Sequence, residues 1–348
     1  MRKLALLFAA IALTLGLNEI LLRAFWRNPF AQQAADLVLT LRTQPAGATR
    51  ELDRRALHLD PPTVLFRTDA RGYIEPTRRF SDPEFTLVFQ GGSTTECLVV
   101  QEELRWPNQV AVQLESLGFR ANALNAGRAG NTAHDALVNL VQVVAPDRPD
   151  VALLMNAIND AGLLADGGYA LRAPHADGWR AGVHWLGETL SAHSSLVGIL
   201  RNLAGAERPD AGGGASGGGP DPAPYEARVR AWVRTSRAFG IEPVLVTEPL
   251  SSLRNELTPP WTDAGALAVF NERVRAIGRE EGAVVIDLAA LVRAEPEFAE
   301  PARIYYDGMH VNDAGARIYG RLVAEALARD VLPKLRAERA SHSPQIAR

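Results

Sequence analysis

The sequence predicts an α/β protein built on a doubly wound parallel sheet, preceded by an N-terminal transmembrane helix. Three observations predict the sheet. From Phe85 onward short apolar runs alternate with amphipathic helical patterns, as successive βαβ units require. The 348 residues suffice for one large α/β domain with appendages and a sizeable buried core. The balance of 47% hydrophobic to 22% charged residues is that of a globular chain and argues against general disorder.

Taken in order, Arg2 and Lys3 precede the apolar run Leu4 to Leu17, which meets Asn18 and Glu19 and resumes as Ile20-Leu21-Leu22. The uncharged part is shorter than the ~20 residues of a full span. Including Ile20 to Phe25, with Glu19 near the outer interface, makes a span feasible through snorkelling and tilt. The reading is an uncleaved signal-anchor over residues 1–27. The positive-inside rule then places the remaining chain outside the cytoplasm, on the periplasmic side if the membrane is a bacterial inner membrane. A cleaved signal, leaving a secreted protein, competes with it; Ala10-Ile11-Ala12 is a poor cleavage site inside the apolar run. An amphipathic packing helix is the third alternative.

Residues 28–80 form a polar, proline-punctuated lead-in with few periodic signals, in which Arg71-Gly72-Tyr73 marks a turn into a short strand. The following strands are Phe85 to Gln90, Ala123 to Asn125, Val151 to Met155, Pro243 to Thr247 and Val284 to Leu288. Helical patterns cover 106–117, 134–145, 225–239, 263–281 and 313–330. Five such strands fit a flavodoxin-like sheet in three α/β/α layers, whose sites gather at the carboxyl ends of the strands. The domain spans 81–335 and carries an insertion at 161–224 that ends in the glycine-rich run Gly212 to Gly219, a flexible connector. Trp179, His184 and Trp185 make that insertion either a lid or substrate wall, or a surface appendage without function. Residues 336–348 read as a polar, disordered tail.

Composition excludes some partners. A formal net charge of -3 and the lack of a basic run in the middle of the chain leave no footprint for nucleic acid. Cys97 is the sole cysteine, so neither an intrachain disulfide nor a cysteine zinc site can form. The seven histidines show no HExxH or other compact ligand spacing, and neither a metal nor a cofactor is expected.

The chemistry is concentrated at the two ends of the domain. In Phe85-Thr-Leu-Val-Phe-Gln-Gly-Gly-Ser93-Thr-Thr-Glu96 an apolar strand runs through two glycines to a serine at a helix start. Ser93 is thereby expected at the carboxyl edge of the sheet, with its N–H and the helix dipole favouring a developing negative charge. A helix-capping serine is the structural alternative, and a phosphate loop is disfavoured because its lysine is missing. In Tyr306-Asp307-Gly-Met-His310, followed by Asn312 as a plausible N-cap, the spacing lets the Asp307 carboxylate reach the Nδ1–H of His310. An aspartate there fixes the tautomer and stabilises the imidazolium formed when Nε2 takes a serine proton, although Asp-x-x-His also occurs as an ordinary capping turn. His134 and Asp160 read mainly as structural residues and Glu96 as an offset to a helix dipole, while Trp261 is either a pocket wall or a packing residue.

With these motifs in view the chain resembles the SGNH (GDSL-like) hydrolases, whose four short blocks can be traced in order across residues 85–330. The nucleophile block resembles Gly91-Gly92-Ser93-Thr94-Thr95-Glu96, with Gly92 where the family commonly has aspartate, as in its membrane-anchored branches. The glycine block is similar to Asn125-Ala-Gly127-Arg-Ala-Gly130-Asn131-Thr132. The asparagine block is similar to Asn156-Ala157-Ile-Asn159-Asp160, with Ala157 replacing a glycine, and Asp307-x-x-His310 matches the last block. The resemblance implies a catalytic triad of Ser93, Asp307 and His310. It also implies an oxyanion hole from the N–H groups of Ser93 and Gly130 and the side chain of Asn159. The activity it implies is carboxylic ester hydrolysis through an acyl-enzyme. The expected substrate is an acylated carbohydrate or lipid of the cell envelope, with removal of short acyl groups such as acetyl. An O-acyltransferase acting on an exopolysaccharide and a non-catalytic glycan-binding protein are the alternatives; the intact Ser93, Asp307, His310 and Asn159 set argues against the second.

Overall fold

The computed structural model describes residues 2–25, 41–165, 220–258 and 263–342, together with residues 169, 190, 194 and 197. The chain divides into two compact units, one of residues 1–40 and 167–213, the other of residues 41–166 and 214–348.

In the first unit, helix α1 spans Arg2–Phe25. Its polar residues are partly absorbed by the helix itself: Thr14 Oγ1 donates to the Ala10 carbonyl and the Asn18 amide to that of Thr14. Glu19 accepts a hydrogen bond from Ser194 at 2.9 Å. Among the described residues no helix is long and apolar enough to cross a membrane. The expected helix is therefore present, and the expected span is not shown by it. Trp179, His184, Trp185 and the Gly212–Gly219 run lie outside the described residues.

The second unit begins with a hairpin that the polar lead-in conceals. Strand β1 (Thr49–Asp53) pairs antiparallel with β2 (Thr63–Arg67). Their charged residues mask the period-two pattern, and in β2 only Val64 and Phe66 face inward. Two buried arginines fasten this segment to the body. Arg105 donates to the carbonyls of Leu65 and Glu75, and Arg54 pairs with Asp313 at 2.8 Å. The turn at Arg71-Gly72-Tyr73 is present, with Gly72 at φ +86°, and delivers Ile74 to a bridge with Asn125.

The five expected strands form one parallel sheet: β3 (Phe85–Gly91), β4 (Ala121–Asn125), β5 (Val151–Met155), β6 (Glu242–Val246) and β7 (Val284–Ile286). The order is β4-β3-β5-β6-β7, the flavodoxin-like arrangement, which reverses direction between β3 and β5. Each central strand is apolar on both sides because each face meets helices. Leu87, Phe89, Leu153 and Val246 pack into one core with α3 (Trp106–Ser116) and α9 (Asp313–Asp330). Val88, Leu154 and Leu245 pack into the other with α4 (Ala133–Asn139), α6 (Ala223–Ala238) and α7 (Ala264–Glu281).

Helix starts follow local chemistry. Thr132 and Asp135 form a capping box at α4, and Asp263 and Asn312 cap α7 and α9. The helix expected over 134–145 stays α-helical only to Asn139, continuing as a π turn over Leu140–Val144 and a 3-10 turn over Ala145–Asp147. Pro146 cannot donate to a helical ladder, and Arg148 closes the segment at φ +49°. The tail also differs from expectation. A last helix, α10, covers Leu332–His342, held because Arg336 donates to Glu84 at 2.7 Å and Arg339 pairs with Asp150. Residues 343–348 lie outside the described residues.

Candidate active site

The reversal of strand order opens a crevice beyond the carboxyl ends of β3 and β5, where sheets of this kind hold their ligands. β3 runs into Gly92, and Ser93 opens the four-residue helix α2 (Ser93–Glu96), closed by Cys97 at φ +53°. Gly92 has an ordinary negative φ of −85°. Its requirement is space: a Cβ there would lie 2.4 Å from Nδ2 of Asn159. Asn159 reaches that position from α5 (Ile158–Ala165), which starts just past the end of β5.

From the far end of the chain, Asp307 and His310 stand in the turn before α9. His310 Nε2 is 2.8 Å from Ser93 Oγ, and His310 Nδ1 is 2.7 Å from Asp307 Oδ2. The other Asp307 oxygen accepts the backbone N–H groups of Met309 and His310 at 2.8 and 2.7 Å. Burial pushes this carboxyl up, but the His310 ring and these two amides pull harder and hold it below its ordinary value. The Tyr306 ring stacks on His310 with centroids 5.6 Å apart and planes 9° from parallel. The loop after β6 supports the turn from outside, Asn255 donating to the Tyr306 carbonyl and Thr258 Oγ1 accepting from Gly308 N, each at 2.9 Å.

The loop after β4 carries Gly130 at φ +74°, a left-handed conformation that favours glycine. Asn159 Nδ2 donates to the carbonyl of the next residue, Asn131, at 2.9 Å. The structure thus brings Ser93, Asp307, His310 and Asn159 to one place, with Gly130 in the loop that Asn159 grips. The cleft beside Ser93 and His310 is small, about 180 Å³ including its open mouth, with Val99, Val100, Tyr306 and Val311 among its walls. A wider depression of about 1200 Å³ runs along β4 and the lead-in beside Arg71, Arg78 and Phe80, and contains none of these residues.

Several further residues hold these loops. Glu96, in the first turn of α2, spends its carboxylate on the neighbouring loops, accepting the Ala129 N–H at 3.0 Å and the Gln44 amide at 2.6 Å. Arg42, from the lead-in, donates to the Ala129 carbonyl and to Asn131. Asp160 accepts the N–H of Ala133 and so acts as the structural acceptor expected of it. Glu248, just past β6, accepts Thr94 Oγ1 at 2.6 Å and Ile158 N–H at 2.8 Å. Burial pushes both glutamates above their ordinary values. The buried Cys97 thiol is pushed up to about 12 by burial, which leaves it protonated and unreactive. His134 is half-buried on α4 and does not line the cleft. Trp261 lies outside the described residues. Glu248, Arg42 and Tyr306 were not singled out from sequence; the available signal was a lone acid at a strand end for the first and adjacency to Asp307 for the last. Among the described residues no group of three or more His, Cys, Asp or Glu is placed to hold a metal ion.

No curated protein matches the chain. Its fold is similar to an acetylxylan esterase, Axe2, of Geobacillus stearothermophilus, at 17% identity and TM-score 0.45 over 70% of this chain and 94% of that one. It is also similar to a lipase/acylhydrolase of Enterococcus faecalis, at 15% identity and TM-score 0.47 over 70% of this chain and 95% of that one. The model of the GDSL-like lipase/acylhydrolase family matches residues 89–318, from the strand before Ser93 to beyond His310. The chain therefore belongs to the GDSL-like lipase/acylhydrolase family and is a carboxylic ester hydrolase.

Proposed function

We propose that the chain is a serine esterase with Ser93 as nucleophile, His310 as general base and acid, and Asp307 as the group that orients the imidazole. The observation that carries this reading is the continuous pair of hydrogen bonds from Ser93 Oγ through His310 to Asp307, 2.8 and 2.7 Å long. Ser93 Oγ attacks the ester carbonyl carbon while its proton passes to Nε2 of His310. The charge forming on the carbonyl oxygen is met by the N–H groups of Ser93 and Gly130 and the second amide hydrogen of Asn159. His310 then returns the proton to the leaving alcohol oxygen. Water attacks the acyl-enzyme, giving its proton to His310, and the acid leaves with Ser93 restored.

The natural ester is proposed to be an acylated envelope polysaccharide or lipid carrying a short acyl group such as acetyl. Helix α1, with Arg2 and Lys3 at its start, is proposed to tether the enzyme with its catalytic domain outside the cytoplasm; fractionation that recovers the full chain in the soluble pool would overturn the tether. Ser93→Ala is expected to abolish hydrolysis of 4-nitrophenyl acetate and labelling by a fluorophosphonate. Labelling that persists on another serine would refute Ser93 as the nucleophile. Acyl-enzyme turnover that depends on an added sugar acceptor, with little loss to water, would replace hydrolysis by transfer.

A further inference from the structure

Glu248 is a buried carboxylate that none of the steps above uses; only 2% of it is exposed. Removing a carboxylate from water is costly unless hydrogen bonds replace the solvent, so its bonds show what it is held for. One oxygen accepts the hydroxyl of Thr94, the residue after Ser93. The other accepts the N–H of Ile158, the residue before Asn159 and the first of α5. The main chain of Glu248 is itself fixed, because the Asn271 side chain on α7 donates to its carbonyl and accepts its N–H, both at 2.8 Å.

The elements so joined cannot hold themselves. α2 has only four residues, and its own bonds amount to a single turn ending with Cys97 N–H to the Ser93 carbonyl. α5 opens with backbone N–H groups that have no partner within the helix. The Glu248 carboxylate, just past β6, holds both at once, through the Thr94 hydroxyl of α2 and the first N–H of α5, across the intervening strand β5.

We infer that Glu248 is a positioning residue that sets the separation between the nucleophile Ser93 and the oxyanion donor Asn159 by clamping Thr94 and Ile158 together. The inference rests on the roles given above to Ser93 and Asn159. It implies that Glu248 acts on the transition state more than on substrate binding, since a displacement of about 1 Å in such a donor can cost about 100-fold in rate.

The test compares Glu248→Ala, Glu248→Gln, Thr94→Val and the Thr94→Val/Glu248→Ala pair on 4-nitrophenyl acetate, with kcat normalised to the sites titrated by a fluorophosphonate. Glu248→Ala should lower kcat about 100-fold and change KM less than about 3-fold. Glu248→Gln keeps an acceptor for Ile158 and should recover to within about 10-fold of the parent. Thr94→Val should lose roughly 5-fold alone and nothing further in the Glu248→Ala background, the signature of one shared interaction. Normal kcat per titrated site in Glu248→Ala overturns the inference, as does an additive Thr94→Val effect. If Glu248→Ala does not fold, Thr94→Val and Glu248→Gln with their double variant decide the question in the same way. Activity retained by Ser93→Ala would instead refute the reading of the site. A dead Ser93→Ala beside fully active Glu248 variants would refute the clamp alone.

Discussion

The two sides of the site are built on opposite plans. The base side is local: Asp307 and His310 are three residues apart, and one Asp307 oxygen accepts the backbone of the same turn. The nucleophile side is assembled from loops far apart in sequence. α2 follows β3, Gly130 follows β4, Asn159 follows β5, and the carboxylates of Glu96, Asp160 and Glu248 tie these loops to one another. A local turn loses its function one group at a time. An assembled surface transmits a displacement at one loop to the donors on the next.

The largest expected effect is on the base side. Asp307→Asn keeps the shape but holds His310 in the wrong tautomer, and kcat should fall about 10,000-fold, the size seen for the corresponding change in a serine protease triad. Because the amide oxygen can still accept the N–H groups of Met309 and His310, the melting temperature should fall only by what the lost carboxylate–imidazole pairing contributes. A large drop in both would show that this turn is part of the assembled side after all.

Asn159→Ala comes next. Loss of one oxyanion donor costs roughly 100- to 1000-fold in kcat with little change in KM. The same change removes the bond to the Asn131 carbonyl and so loosens the Gly130 loop. Fluorophosphonate labelling should therefore slow along with turnover. Labelling at the parent rate would mean that Asn159 meets no developing charge.

Gly127→Ala touches no reacting atom and tests the assembly directly. A Cβ at Gly127 would sit 2.5 Å from the Glu96 nitrogen and 2.8 Å from the Thr95 carbonyl carbon, both backbone atoms that cannot swing aside. The β4 loop must move away from α2, and kcat should fall about 10- to 100-fold with a lower melting temperature. Full activity here would mean that the loops tolerate separation and that the distinction between the two sides is smaller than the hydrogen bonds suggest.

The same contrast explains what could be read in the sequence. The base side was legible because its pattern is short: acid, base and the Asn312 cap lie within six residues. The strands were legible where apolar runs are unbroken and blurred where they are not. β4 begins at Ala121 rather than Ala123 because polar Asn122 lies in it, with its side chain spent on the backbone of Arg79 and Phe80. β7 stops at Ile286 because Asp287 caps the next helix, α8 (Leu288–Arg293), by accepting from Ala290 N–H. The clamps of the assembled side were hidden for a different reason. Glu248 follows an apolar strand as an acid without a motif, and its partners Thr94 and Ile158 lie 154 and 90 residues away. No local period records such a contact.

The smallest effect to look for is in stability against pH, and its sign separates the two sides. Asp307 is held below its ordinary 3.8, so the stability it contributes is complete above that value and is lost as pH falls through the lower folded value. Glu96 is shifted the other way. Burial raises it above its ordinary 4.5, against the pull of Gln44, the Ala129 N–H, Arg50 and Arg128. The folded chain then holds a proton that the unfolded chain has already released, and stability falls as pH rises from 4.5 through the raised value. Glu96→Gln removes this titration and leaves that of Asp307 in place. Its melting temperature relative to the parent should climb as pH rises above 4.5, by about 2–4 °C for each kcal/mol involved, and then level off. The hydrogen bonds lost in the variant shift the whole curve without tilting it, so the slope alone carries the answer. A flat difference would mean that Glu96 titrates as it does in water, and the buried carboxylate could not be counted among the tethers of the nucleophile side.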